Sequence, residues 1–455
     1  MQDPDTICVV SSALGEAAIG VIRMSGPQAH SILRTIFRPK RPVDSFASHR
    51  LYLGLIVNPE TGNTLDEVFA VFMDEPSTYT REAMAEVYSH GGISAQRQIL
   101  SLMVGHGARI AEPGEFTKRA FLNGRIDLAQ AESVLDIIQS ESEDETRSAL
   151  SHLTGMLSQR IGIAKDQVKQ ALANTEALID FPEEEIGIDG QETATLLEET
   201  RGRLQELASS YAEGRAVKSG LEVLIVGRTN VGKSSLLNAL LMEERAIVTP
   251  LPGTTRDLIE EVLHVKGIKL RIVDTAGLRK PRDVAEEKGI ERVKKRIPGA
   301  DVILWVLDNN ESYLEEDEQI YRKIRAKKIV TAINKCDLPQ RLERERITAK
   351  ELTPVDVCAL TGSGLEEVRG ALYRAVMGKE QKGPALLITS VRHRDALIKA
   401  EEGIQRALSC IKQEEPLEFT AFELREALAR LGEITGETCT DEILNDIFSR
   451  FCIGK

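Results

Sequence analysis

Aromatic residues make up only 4% of the 455 residues, and tryptophan occurs once. So few aromatics beside a hydrophobic share of 42% suit a soluble protein of helix and parallel sheet. No run of 18 or more apolar residues occurs, which argues against a membrane span and predicts no membrane association. Cysteines are few and scattered. Cys8, Cys336, Cys358, Cys410, Cys439 and Cys452 form no C-x-x-C pair, so neither a zinc site nor a disulfide framework is expected, and free thiols fit a reducing cytosol. Positive charge is also short. A formal net charge of −13 argues against broad, charge-driven nucleic-acid binding, because counterion release needs a lysine and arginine surface. A local basic patch, or an RNA partner held by another subunit, stays compatible with it. The opening M-Q-D-P-D-T lacks a charged-then-apolar leader, so a cytoplasmic location is expected.

The length predicts about three domains. From Thr6 to about Val104, short β-branched runs (Ile19 to Ile22, Leu51 to Val57, Asp66 to Met73) read as strands, with Gly26-Pro27 and Pro59 to Gly62 as turns. This is an α+β unit, residues 1–120. Glu115 to about Arg215 is helical in pattern, with apolar residues three and four apart, as in Ala129, Val134, Ile137 and Ile138. Phe181-Pro182 ends one helix, because proline cannot continue it. From Leu221 to about Met377 the pattern switches to strands alternating with helices; Glu222–Val226, Leu270–Val273, Val302–Leu307 and Ile329–Ile333 are the clearest strands. Such alternation implies a parallel, doubly wound sheet. The polar run Gly378 to Gly383 closes it, and helical patterning resumes. We read residues 218–379 as an α/β unit inserted into one discontinuous helical domain, 121–217 and 380–455, the alternative being two separate helical domains.

The strongest local signal is Gly227-Arg228-Thr229-Asn230-Val231-Gly232-Lys233-Ser234, followed by Ser235 and a helix to Leu241. It lies between an apolar strand and that helix, where a phosphate loop belongs. Glycines let backbone N–H groups turn toward phosphates; Lys233 supplies charge near the β- and γ-phosphates, and the Ser234 hydroxyl can ligate Mg²⁺. Alone, this motif leaves ATP and GTP open. Asp274-Thr275-Ala276-Gly277 follows the strand Leu270–Val273, where a carboxylate can reach Mg²⁺ through water. Asn334-Lys335-Cys336-Asp337 follows Ile329–Ile333. An acidic side chain there accepts hydrogen bonds from the ring N–H and exocyclic amine of guanine; adenine offers no such pair, and an unpaired buried carboxylate is costly. Cys358-Ala359-Leu360 ends a later strand, where backbone N–H groups close over a base. Each tetrapeptide alone fits an ordinary loop. All of them in order, each after a strand, point to GTP.

Many GTPases place a glutamine just after D-x-x-G to orient the attacking water, but Leu278 stands there and cannot do so. Thr249-Pro250-Leu251-Pro252-Gly253-Thr254-Thr255-Arg256-Asp257 supplies a switch-like loop in which Thr255 is a second candidate Mg²⁺ ligand. Glu286 and Glu287 lie downstream, where charge alone would read as a solvated helix face.

With G-R-T-N-V-G-K-S-S, G-T-T-R-D, D-T-A-G-L-R and the final Phe451-Cys452-Ile453-Gly454-Lys455 in place, the chain resembles the bacterial tRNA modification GTPase family MnmE, also called TrmE. The resemblance runs through Asp5-Thr6-Ile7, the Glu115-Phe116 to Leu128-Ala129-Gln130 stretch and Asp180-Phe181-Pro182-Glu183-Glu184. It implies a homodimer with a folate-binding and dimerisation domain at the N-terminus, a discontinuous helical domain and an inserted GTPase domain. It further implies a flavoprotein partner, MnmG, in a heterotetramer-type complex that modifies carbon 5 of the wobble uridine in certain tRNAs. The product is a 5-carboxymethylaminomethyl or 5-aminomethyl group. The carbon comes from 5,10-methylenetetrahydrofolate, of which 5-formyltetrahydrofolate is a stable analogue.

The resemblance also implies K⁺ stimulation, with K⁺ ligands at Asn230, Thr249, Leu251 and Thr254 and closure of paired GTPase domains. A monovalent cation can stabilise phosphate charge much as an arginine finger does, which answers the question Leu278 raises. The family's water-orienting glutamate falls on Glu286, and its folate site on Arg23, Glu86, Arg125 and Lys455, with position 125 more familiar as lysine. A carboxylate suits the pterin amine and N–H, and arginine suits the tail carboxylates. Cys452 is either a nucleophile near folate and the tRNA base or a small apolar residue beside Phe451 and Ile453. Cys358 replaces the usual serine of the base-closing loop, and little consequence is expected because the backbone closes over the base. The rival class is a ribosome-assembly or regulatory GTPase switch, which a C-terminal RNA-binding module with a G-x-x-G loop would favour; the tail here is helical in pattern.

Overall fold

Runs of alternating polarity near the N-terminus pair into a seven-stranded sheet in a computed structural model of the chain. The structure describes residues 5–13, 15–181, 190–245, 261–265, 268–273, 297–377, 386–451 and 454. The strands are β1 (Ile7–Val10), β2 (Ala17–Ser25), β3 (Phe37–Pro39), β4 (Arg50–Val57), β5 (Thr64–Met73), β6 (Met84–Gly91) and β7 (Arg109–Ile110), in the order β3-β4-β5-β6-β2-β1-β7. Pairing is antiparallel except between β1 and β7. Period-two alternation sends Ile22, Met24, Val68, Ala70, Phe72, Ala85 and Val87 into a core with Ile32 and Leu33 of helix Ala29–Ile36 and Ile99 and Met103 of helix Ile93–Gly105. On the other face the register sets Leu53 opposite Phe69, Phe69 opposite Tyr88 and Arg23 opposite Glu86. There Ile19, Leu51, Leu53 and Phe69 are exposed.

The chain divides into two compact units, one of Met1–Leu135, His152–Leu197 and Arg406–Lys455, the other of Asp136–Ser151 and Glu198–Gln405. In the first unit, helix Met156–Asp180 packs along helix Leu417–Thr435, so segments before and after the α/β stretch share one helical body. The earlier helix ends at Asp180, one residue before the Phe181-Pro182 break. Helix Asp441–Ser449 buries Leu444, Ile447 and Phe448 with Leu128, Ala131 and Phe451. The tail then returns to the sheet. Gly454, at φ +106°, lies against the end of β1, where a Cβ would sit 3.0 Å from the Ser11 Cα; glycine suits both the angle and the gap.

The second unit holds a six-stranded sheet of β8 (Leu221–Val226), β9 (Glu261–Val265), β10 (Ile268–Val273), β11 (Val302–Asp308), β12 (Lys328–Asn334) and β13 (Val355–Asp356), in the order β13-β12-β11-β8-β10-β9. Every residue of β11 is buried, as a central strand covered on both faces must be. Leu236, Leu237 and Leu240 of helix Lys233–Arg245, with Val368 and Leu372 of helix Leu365–Met377, cover one face. Tyr313, Ile324 and Ile347 cover the other around Trp305. The doubly wound expectation holds with one correction: β9 runs antiparallel to β10. Only residues 266–267 separate the two strands, too few for a parallel crossover and enough for a hairpin. No described helix is long and apolar enough to cross a membrane.

Candidate functional site

β8 delivers the chain into the loop 227–232 at the carboxyl end of the sheet, the side on which ligands bind in doubly wound folds. Asn230 (φ +62°) and Gly232 (φ +93°) both take left-handed conformations, which turns backbone N–H groups inward as an anion-binding nest. At Gly232 a Cβ would lie 2.2 Å from Asn334 Nδ2, so the loop passes the base motif at a distance that no side chain permits. The Lys233 ammonium donates to the Gly227 carbonyl at 2.8 Å and to the Arg228 carbonyl. Burial pushes its pKa down to about 8, and an anion beside it would favour the charged form again. Val231 is buried, while Ser234 and Ser235 open the helix at its phosphate end.

Asn334, 2% exposed at the end of β12, joins this loop to the base motifs. Its Nδ2 donates to the Val231 carbonyl at 2.9 Å, and its Oδ1 accepts from the Ala359 N–H at 3.1 Å. Lys335, at φ +61°, donates from Nζ to the buried Asp308 carboxylate at 2.5 Å. Asp337 is exposed, with the Cys358 thiol donating to its Oδ1 at 3.1 Å. The Cys358 side chain thus contacts Asp337, through a bond that the usual serine could also donate. Leu360, 88% exposed, closes the loop.

The three described folate candidates also gather, on the exposed face of the N-terminal sheet. Arg23 Nε donates to Glu86 Oε1 at 2.7 Å across β2 and β6, and the Tyr88 hydroxyl donates to Glu86 Oε2 at 2.6 Å. Burial, reinforced by that bond, raises the Tyr88 pKa to about 12. Exposed Arg125 stacks its guanidinium 4.6 Å from the centre of the Tyr79 ring, and the Arg23 guanidinium approaches the same ring at 5.9 Å. A half-buried carboxylate with spare lone pairs beside a solvent-facing guanidinium is a donor–acceptor set that fits a pterin ring and tail carboxylates.

Thr249, Pro250, Leu251, Pro252, Gly253, Thr254, Thr255, Asp274, Thr275, Ala276, Gly277, Leu278, Glu286, Cys452 and Lys455 lie outside the described residues. The structure adds partners that sequence reasoning missed. Asp308 ends the buried strand β11, so its place at a strand's carboxyl end was a usable signal. Tyr79 and Tyr88 carried none.

Two family models together match most of the chain. A model of the GTP-binding protein TrmE N-terminus matches residues 6–125, and a model of the MnmE helical domain matches residues 128–452, a span that encloses the whole α/β sheet. The tRNA modification GTPase MnmE of Geobacter metallireducens is 44% identical over 461 residues, covering 99% of each chain. That of Natranaerobius thermophilus is 43% identical over 455 residues, again covering 99% of each. Among solved structures, a single-residue variant of Aquifex aeolicus Era bound to GDP.AlF4⁻ is 31% identical, covering 40% of this chain and 66% of that one with a TM-score of 0.28. Matched along its full length at this identity, the chain belongs to the MnmE (TrmE) family of tRNA modification GTPases.

Proposed function

We propose that this GTPase is stimulated by K⁺ and works as a homodimer with an MnmG-type flavoprotein on tRNA. Together they build the 5-carboxymethylaminomethyl or 5-aminomethyl group on the wobble uridine, taking the carbon from 5,10-methylenetetrahydrofolate, in the cytoplasm. The observation that carries the reading is full-length similarity, at 43–44% identity, to relatives named for tRNA modification. We read residues 1–120 as the folate and dimer domain, 121–217 with 380–455 as the helical domain, and 218–379 as the GTPase domain. The pairing of Arg23 with Glu86, beside Arg125 on Tyr79, supports the folate assignment. Exposed Ile19, Leu51, Leu53 and Phe69 on the same sheet face support the dimer, since an apolar stripe beside a polar cluster is what a second copy would cover.

In hydrolysis, water attacks the γ-phosphorus, the bond to the β–γ bridging oxygen breaks, and the water proton passes to phosphate as GDP departs. Lys233 and the loop amides hold the phosphates, Asp337 reads the base, and Glu286 orients the water. Mg²⁺ would be held by Ser234 and Thr255, with Asp274 through water, and K⁺ by Asn230, Thr249, Leu251 and Thr254. Both ions would neutralise charge on the phosphates. The left-handed turn at Asn230, within the phosphate loop itself, is compatible with a cation ligand there.

Two measurements test this. GTP turnover in K⁺ is expected to exceed that in Na⁺ at equal ionic strength by about 100-fold or more, the scale of losing one charge-stabilising group; equal rates would remove the cation assignment. Glu86→Gln replaces one acceptor oxygen by a donor, and its calorimetric affinity for 5-formyltetrahydrofolate is expected to fall about tenfold or more. Unchanged affinity would move the folate site away from Arg23 and Glu86.

A further inference from the structure

Arg228 follows the first glycine of the phosphate loop and is engaged from two directions. Its carbonyl accepts the Lys233 ammonium. Its side chain leaves the loop: Nε lies 3.0 Å from the Asp317 carboxylate, and Nη2 donates to Glu311 Oε2 at 2.9 Å. Asp317 is fully buried, and the Leu314 N–H donates to its Oδ2 at 3.0 Å, so it also fastens the first turn of helix Glu315–Ile324. A carboxylate at this depth persists only if it is both paired and hydrogen-bonded, and here the two partners are a helix N-terminus and a phosphate-loop arginine.

The same segment grips the other nucleotide loop. Asp308 pairs with Lys335, Asn309 Nδ2 donates to the Leu338 carbonyl at 2.9 Å, and the Asn309 N–H donates to the Asn334 carbonyl at 2.9 Å. Residues 308–317 thus act as a common anchor, with Asp308 and Asn309 at the base loop and Asp317 at the phosphate loop.

We propose that Asp317 is a positioning residue for phosphate binding: by clamping Arg228 it fixes the carbonyl that orients Lys233 toward the β- and γ-phosphates. Glu311, being more exposed, is the weaker half of the clamp. The effect is confined to phosphates beyond the first, because Lys233 is the group displaced when the clamp opens.

The test compares GDP with GMP, which share base, ribose and α-phosphate, by competition against a fluorescent guanine nucleotide on the full-length chain. Asp317→Asn keeps an oxygen for the Leu314 N–H and removes only the charge that holds Arg228. It is expected to weaken GDP about tenfold and leave GMP within about twofold, with the preference for guanine over xanthine nucleotides intact. Arg228→Gln is expected to match it, and the double variant to be no worse than either single, since all three open one clamp. Arg228→Lys should recover part of the loss. If Arg228→Gln fails to fold because it strands a buried carboxylate, the double variant, which leaves a neutral pair, replaces it in the comparison. Equal loss of GDP and GMP would mean a general loosening of the domain and overturn the proposal. So would native GDP affinity in Asp317→Asn, or additive losses in the double variant.

Discussion

Asp337→Asn is expected to invert base preference, with xanthosine triphosphate replacing GTP as the favoured substrate by a combined change of roughly 10⁴-fold, the scale on which polar sites reject a mispaired ligand. The carboxylate offers only acceptors, which suit the N–H and exocyclic amine of guanine. An asparagine offers a donor where xanthine has an oxygen in place of that amine. The loop should survive the change, because the Cys358 thiol donates to Oδ1, an atom type that asparagine retains. The check is kcat/KM for both triphosphates with purified variant. An unchanged ratio would take Asp337 out of base reading. A loss with both nucleotides and no gain for xanthine would mean that Asp337 holds the loop, not the base.

How far such a site can be read from sequence depends on how local its bonds are. β8, β10, β11 and β12 were legible because each is a short apolar run bounded by polar residues, and the motifs that follow them inherit that legibility. β9 was not, because Glu-Val-Leu-His-Val mixes polarity and its place depends on a hairpin two residues long. The motif Asn334-Lys335-Cys336-Asp337 names residue types, but the reach of Asn334 to Val231 spans 103 positions and that of Arg228 to Asp317 spans 89. Such partners are chosen by strand order and register, which no local pattern encodes. Buried aspartates look like surface ones in a sequence, so Asp308 and Asp317 passed for ordinary loop and helix acids.

The N-terminal site shows the same limit differently. Alternation in β2 and β6 predicts which residues share a face within each strand, but not that Arg23 meets Glu86, 63 residues away. Family resemblance named those residues; it did not name Tyr79 or Tyr88, which read as ordinary strand or turn aromatics. The Cys358 side chain is a similar case: its bond to Asp337 spans 21 positions, so no local pattern pointed to it.

Gly232→Ala is expected to abolish useful nucleotide binding, lowering GDP affinity by about 100-fold or more. Two costs add. An alanine at φ +93° carries about 1–2 kcal/mol of left-handed strain. Its Cβ would also stand 2.2 Å from Asn334 Nδ2. A free amide could swing aside, but this one is nearly fully buried and held at both ends, by the Val231 carbonyl and the Ala359 N–H. Moving it breaks both bonds, and each buried group left unpaired costs about 1–3 kcal/mol. The phosphate loop and the base-closing loop therefore separate together. Adding Asn334→Ala clears the space without restoring the bridge, so the double variant should bind GDP no better than Gly232→Ala. Rescue by the double variant would show that steric contact, not the bridge, sets the affinity. Near-native affinity in Gly232→Ala would show that the loop can reach its ligand without passing Asn334 at all.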